Sequence, residues 1–224
     1  AATLDRFGEQ PAADLRLLIK GASVISMDDE VGDLPEGDIL VEGSRIVAVA
    51  PNLDEAAADG QAIIVDAGDT IAIPGMQDTH RHCWQTQFRR LLPDIDLQDY
   101  VELIHLKFGP AYRPEDVYLG NYLAGIAALD AGITTVLDYF HNYRTPDYAD
   151  QAVRAWSDLG IRAVVAFCNS LTSDWSAQSE HCQCIVDNLK RAEWKGKFYA
   201  RPIDGSKFGA TAVDGLSSPA LGEW

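Results

Sequence analysis

Positive charge is scarce in this chain: 18 lysines and arginines stand against 34 aspartates and glutamates, a formal net charge of −16. A surface so acidic does not seek phosphate backbones or anionic membranes by general electrostatics, so neither nucleic acid nor membrane is expected as a partner, and the charge serves solubility. Long apolar runs are also missing. No stretch approaches the roughly 20 residues of a membrane-spanning helix, and the opening AATLDRFGEQPAADLRLL lacks the basic n-region and apolar core of a secretory signal. Cysteine is sparse. Cys83, Cys168, Cys182 and Cys184 do not have the dense spacing of a disulfide-stapled secreted domain, so a reducing cytoplasm is the expected setting. No P-loop, no Gly-x-Gly-x-x-Gly and no Gly-x-Ser-x-Gly occurs. Nucleotide-fold and serine-hydrolase readings therefore have no support.

What is present is a core-forming composition, 47% hydrophobic, arranged in two regimes. Three β-branched runs come first: LRLLIKGASVISM, GDILVEGSRIVAVA and AIIVDAGDTIAIPG. Partial period-two alternation and Gly/Asp/Pro punctuation mark them as strands. EGSR, between two short apolar runs, reads as a hairpin turn. A small β-sandwich or meander over residues 1–70 is expected, with DEVGDLPEGD and NLDEAAADGQ as acidic loops.

Past Pro74 the period changes. DLQDYVELIHLKFG and RPEDVYLGNYLAGIAALDAG read as helices. Pro114 early in the second, Glu115 and Asp116 in its first turn and Gly132 at its end are helix start and stop signals. ITTVLDYF is a strand, PDYADQAVRAWSDLG a helix and IRAVVAFCNS another strand. With TIAIPGMQDTH counted first, strands and helices form a βαβ series, which demands parallel strands and right-handed crossovers. The pattern dissolves from about Asn188. A complete (β/α)8 barrel takes roughly 250 residues, and about 150 follow Pro74. The expectation for residues 71–224 is a partial TIM-like barrel, with a shorter open α/β sheet as the alternative.

The densest chemistry lies in PGMQDTHRHCWQ. On a strand, residues i and i+2 share a face, so His80 and His82 project together, with Asp78, and Arg81 points the other way. The end of a parallel-barrel strand is where such folds place catalytic groups. Two neutral imidazoles there suit Zn²⁺ or Fe²⁺. A catalytic metal usually takes three protein ligands and one water, whose pKa then falls near 7. Two histidines are part of such a set, or else two polar residues at a strand end.

IAIPGMQDTHRHCWQTQ resembles the first barrel strand of the amidohydrolase superfamily of metal-dependent hydrolases, where Pro-Gly leads within a few residues into His-x-His. The three β-branched runs are similar to the sandwich that precedes the barrel in that family. RRLLPDIDLQDYVELI and RPEDVYLGNYLAGIAALDAGITTVLD resemble its cytosine deaminase and chlorohydrolase-like branch. The resemblance runs from Leu15 to about Ser170. It implies that His80 and His82 are metal ligands for a divalent ion, Zn or Fe, and that the chemistry is hydrolysis of a C–N bond by metal-activated water. The family's further ligands, two histidines and an aspartate from later strands, have no match here. Lys207 is a weak match to the carboxylated lysine of some branches.

Several other residues carry two readings each. Trp84 and Gln85 follow the metal pair and suit a flat nitrogen heterocycle as an aromatic wall and an amide, or Trp84 packs beneath the loop. His141, with Asp138 at the end of the second barrel strand, touches substrate or is a loop histidine. Cys83 faces away from the pair if the strand continues through it. His105 sits in a helix pattern. HCQC, His181–Cys184, reads as thiols on a helix, because it lacks a second zinc-finger pair. The catalytic acid–base group is not identified. The expected partner is a small molecule. Unpaired strand edges on a partial barrel would favour homo-oligomers, and a non-catalytic partial barrel needing a complementary half is the rival reading.

Overall fold

The structure, a computed structural model, describes residues 15–170. The His181–Cys184 cluster, Lys207 and the segment beyond Asn188 lie outside the described residues. The fold is mixed α/β, and the chain falls into two compact units divided between Pro74 and Gly75.

The first unit is one five-stranded sheet. β1 (Arg16–Val24) lies between β2 (Leu34–Glu42) and β4 (Ile63–Asp66), β3 (Arg45–Ala50) flanks β2, and the two-residue β5 (Ile71–Ala72) pairs with the end of β1. The EGSR hairpin forms as expected: Glu42 pairs with Arg45 across a turn in which Gly43 takes φ +58°. The meander does not. β4 and β5 run parallel to β1 instead of returning beside β3. The acidic loop is also shorter than expected, because β2 already begins at Leu34, which pairs with Val24. Buried Asp38 ties the sheet together by accepting the backbone N–H of Gly21 at 3.0 Å and of Leu53 at 2.9 Å.

The second unit is a three-stranded parallel sheet, β6-β7-β8, with helices packed on one face. β6 is Met76–Arg81, β7 Ile133–Tyr143 and β8 Arg162–Asn169. The stretch TIAIPGMQDTH is therefore two strands in different sheets, broken at Pro74–Gly75. Gly75 is required there: a Cβ would lie 2.2 Å from Oγ1 of Thr134. After β6 comes a 3-10 turn, Cys83–Phe88, then helix α1 over 97–111, whose middle, Val101–Phe108, has π-helical turns. Helix α2 (Pro114–Asp130) carries Pro114 in its first turn, an Arg113–Asp116 cap and Gly132 at φ +76° after its end. Helix α3 (Pro146–Leu159) is closed by Gly160 at φ +70°.

β7 positions the site. Its buried residues alternate, Val136, Asp138, Phe140 and Asn142, and Val136 and Phe140 join the core with Trp84, Val117, Val153 and Trp156. Period two puts Tyr139 and His141 on the opposite face. The strand runs to Tyr143, so His141 lies within it and not in the loop expected after Phe140.

Candidate active site

His80 is exposed at the end of β6, and His82 is the half-buried residue that opens the 3-10 turn. Their ring centroids are 5.0 Å apart with planes nearly perpendicular. The period-two expectation for this pair is met in space. Neighbouring β7 supplies Tyr139, stacked on His80 at 4.5 Å, and His141, stacked on His82 at 4.0 Å.

Hydrogen bonds fix two tautomers. His82 Nδ1 is 2.9 Å from the carbonyl oxygen of Tyr139. A carbonyl only accepts, so Nδ1 carries the proton and the Nε2 lone pair is left for a ligand. The indole Nε1–H of Trp84 lies 3.0 Å from His141 Nδ1. Indole only donates, so His141 Nδ1 is bare and its proton sits on Nε2. Burial is the main force on these rings: it pushes the His82 pKa down, against the Tyr139 carbonyl, which favours the charged form. It drives His141 down to about 2, with the charges of His82 and His105 acting the same way. His105, brought in by the π-helical stretch of α1, is buried and pushed down to about 4 by burial and then His82. Its ring meets His141 at 4.5 Å. Histidines 82, 105 and 141 are thus a neutral, packed group.

Behind them sits Asp138, fully buried. One carboxyl oxygen accepts the Cys83 N–H at 3.3 Å; the other accepts Asn121 Nδ2 at 2.8 Å and Trp156 Nε1 at 3.1 Å. Burial raises its pKa to about 6 although these donors favour the carboxylate. Through one side chain the backbone next to His82 is tied to β7, α2 and α3.

The other expected residues separate. Asp78 does not join the histidine pair; it bonds the His80 N–H at 3.2 Å and pairs with Arg81 at 3.4 Å. The strand does not continue to Cys83, which begins the 3-10 turn; it is buried and its thiol is pushed up by burial. Trp84 is fully buried, edge-on to Tyr112, Phe88 and His141. Gln85 is half-buried, its Nε2 2.7 Å from the Tyr100 hydroxyl, which also lies 3.1 Å from His105 Nε2. Gln85 and Tyr100 line a cleft of about 560 Å³ with Phe88, Arg89 and Leu92. Tyr100, His105, Tyr139, Asn121 and Trp156 were not singled out as functional from the sequence. A histidine among apolar residues in VELIHLKF was the one available signal, and it reads equally as helix packing. Among the described residues no group of three or more His, Cys, Asp or Glu side chains is arranged to hold a metal.

No protein-family model matches the chain. Individual relatives do. A 5'-deoxyadenosine deaminase from Methanosarcina acetivorans is 30% identical over 180 residues, 80% of this chain and 39% of the deaminase. A 5-methylthioadenosine/S-adenosylhomocysteine deaminase from Symbiobacterium thermophilum is 35% identical over 154 residues, 67% of this chain and 33% of the relative. The crystal structure of atrazine chlorohydrolase TrzN from Arthrobacter aurescens TC1, complexed with zinc, superimposes with a TM-score of 0.67 at 25% identity, covering 83% of this chain and 46% of that one. The chain belongs to the amidohydrolase superfamily. As an amidohydrolase chain it spans about two-fifths of the length of the first of these deaminases, 39%. Among its described residues no helix is long and apolar enough to cross a membrane.

Proposed function

We propose that this amidohydrolase chain carries part of the metal site of an enzyme that hydrolyses an exocyclic C–N bond of a small nitrogen heterocycle. Water and the amino-substituted ring carbon give a carbonyl and ammonia. The observation that carries the reading is the His80–His82 pair with the Nε2 of His82 freed by the Tyr139 carbonyl. His80 and His82 would hold the divalent metal, zinc or iron, with further ligands from beyond the described residues. When bound, such a metal supplies Lewis acidity and lowers the pKa of a water. The donor chemistry fits: two imidazoles at one strand end, one already oriented by an outer hydrogen bond.

The chain's own residues have separable roles in this reading. Asp138 fixes the backbone beside His82 through the Cys83 N–H. Gln85 and His141 face substrate, and Trp84 supports His141 from the core. The relatives, deaminases of adenine nucleosides and a triazine chlorohydrolase, support a flat nitrogen heterocycle as substrate and favour an enzyme over a non-catalytic partial barrel.

The same reading makes β6, β7 and β8 the first three strands of a (β/α)8 barrel that starts after β5, and the five-stranded sheet of the first unit part of a β-sandwich. In support, the first unit leaves Ile46 66% and Ile73 57% exposed along an apolar groove, as a sheet face awaiting a second layer would. The test is ammonia release by the full-length protein from a panel of adenine nucleosides and amino-triazines. Turnover of at least one, lost on chelation and restored by zinc or iron, is expected. Metal-independent turnover, or none with any panel member, would overturn it.

A further inference from the structure

We infer that Trp84 sets the tautomer of His141, so that His141 Nε2–H is a fixed hydrogen-bond donor toward an acceptor atom of the substrate, an sp² ring nitrogen or a carbonyl oxygen. This rests on the deaminase reading for the substrate but not for the tautomer. Three observations carry it. The indole N–H of Trp84 occupies His141 Nδ1 at 3.0 Å, and an indole can only donate. Trp84 is itself fully buried and wedged edge-on against Tyr112, Phe88 and His105, so its N–H cannot swing away without opening the core. His141 lies on the face of β7 turned toward the His80–His82 pair, its ring 4.0 Å over His82, and its Nε2 has no side-chain partner among the described residues.

A free imidazole offers either nitrogen as donor or acceptor. Here one nitrogen is used up from the core side, and the other is left with a single polarity. A site built this way rejects a ligand that presents a donor at that point, because two N–H groups would face each other without a partner. The ring that deaminases and triazine hydrolases act on carries acceptor nitrogens next to the reacting carbon, which matches the polarity on offer. His141 is thus a specificity-determining contact, and Trp84 a positioning residue that acts through it.

The test uses ¹⁵N-resolved NMR of the histidine side chains in the full-length protein, with Trp84→Phe, His141→Gln and His141→Leu. In the unsubstituted protein His141 should show a protonated Nε2 and a bare Nδ1; in Trp84→Phe, which keeps a ring but loses the N–H, the two tautomers should mix. A protonated Nδ1 in the unsubstituted protein, or a tautomer unmoved by Trp84→Phe, overturns the positioning role. Adenosine is then added as probe. The His141 Nε2–H resonance should shift, and an unmoved resonance overturns the substrate contact whether or not turnover is seen. In a turning-over protein His141→Leu should raise KM at least tenfold while His141→Gln, whose amide can donate at the same place, recovers most of it. Equal loss in both variants would contradict a donor role. A correct tautomer with no turnover of any heterocycle would instead fault the deaminase reading.

Discussion

His105 and His141 lie 4.5 Å apart, both neutral, and that neutrality has a pH signature. In an unfolded chain each would titrate near 6.5; in the fold burial holds His105 at about 4 and His141 at about 2. Between those values the unfolded chain binds more protons than the folded one, so stability is full above about 6.5 and is lost as pH falls. His105 alone accounts for about 3 kcal/mol by pH 4. Asp138 acts in the opposite sense. Its carboxyl is raised to about 6, so its term is full below the ordinary carboxylate range and fades as pH rises toward 6. Two imidazoles with the larger shifts outweigh one carboxyl. Urea unfolding of the metal-free protein should show its midpoint falling from pH 7 to pH 4.5, with a flatter acid limb in His105→Leu. A midpoint that holds or rises on acidification would refute the buried-neutral assignment. Asp138 gives a second residue-scale outcome. Asp138→Ala strands three buried N–H donors and should cost about 3 kcal/mol or more; Asp138→Asn keeps one accepting oxygen for Asn121 and Trp156 and should cost less, about 1–2 kcal/mol. Equal urea midpoints for the two variants would show that the hub is not what holds this region.

Helix α2 shows what one element contributes to the site. Its buried stripe, Val117, Gly120, Asn121, Ala124, Gly125 and Ala128, follows helical spacing and is built from small residues. A Cβ on Gly120 would lie 2.5 Å from the carbonyl oxygen of Trp84, and that neighbour is backbone, unable to rotate aside. Gly120→Ala should therefore destabilise by about 1–3 kcal/mol in urea unfolding, although alanine favours a free helix by about 1 kcal/mol. A stabilised variant would mean that α2 does not press on the 3-10 turn as described. At this scale the sequence was most readable. Pro114, Gly132 and Gly160 punctuate the helices because their backbone constraints are local. Strand pairing was less so: period-two alternation is the same in parallel and antiparallel ladders, so nothing in AIIVDAGD announced that β4 would lie parallel to β1. The break at Gly75 was hidden as well, since it depends on Thr134, far along the chain.

For the whole molecule, the first half of the site was legible and its surroundings were not. His80 and His82 are close in sequence, and strand geometry alone brings them together. Tyr139 reaches them through the register of β7, and the turns of α1 bring His105 to His141 and Tyr100 to His105, which no local pattern encodes. That is why Trp84 left two roles open in the sequence and reads from the structure as a buried hydrogen-bond donor to His141. The chain matches the deaminase from Methanosarcina acetivorans over 39% of that protein's length, and further metal ligands would come from beyond the described residues. The most direct measurement is the zinc and iron content of the purified full-length protein beside His80→Ala and His82→Ala, each checked for retained fold by circular dichroism. Bound metal in the unsubstituted protein and its loss, by tenfold or more in affinity, in both folded variants is the predicted result. Folded variants that keep the same metal at the same affinity would contradict the account.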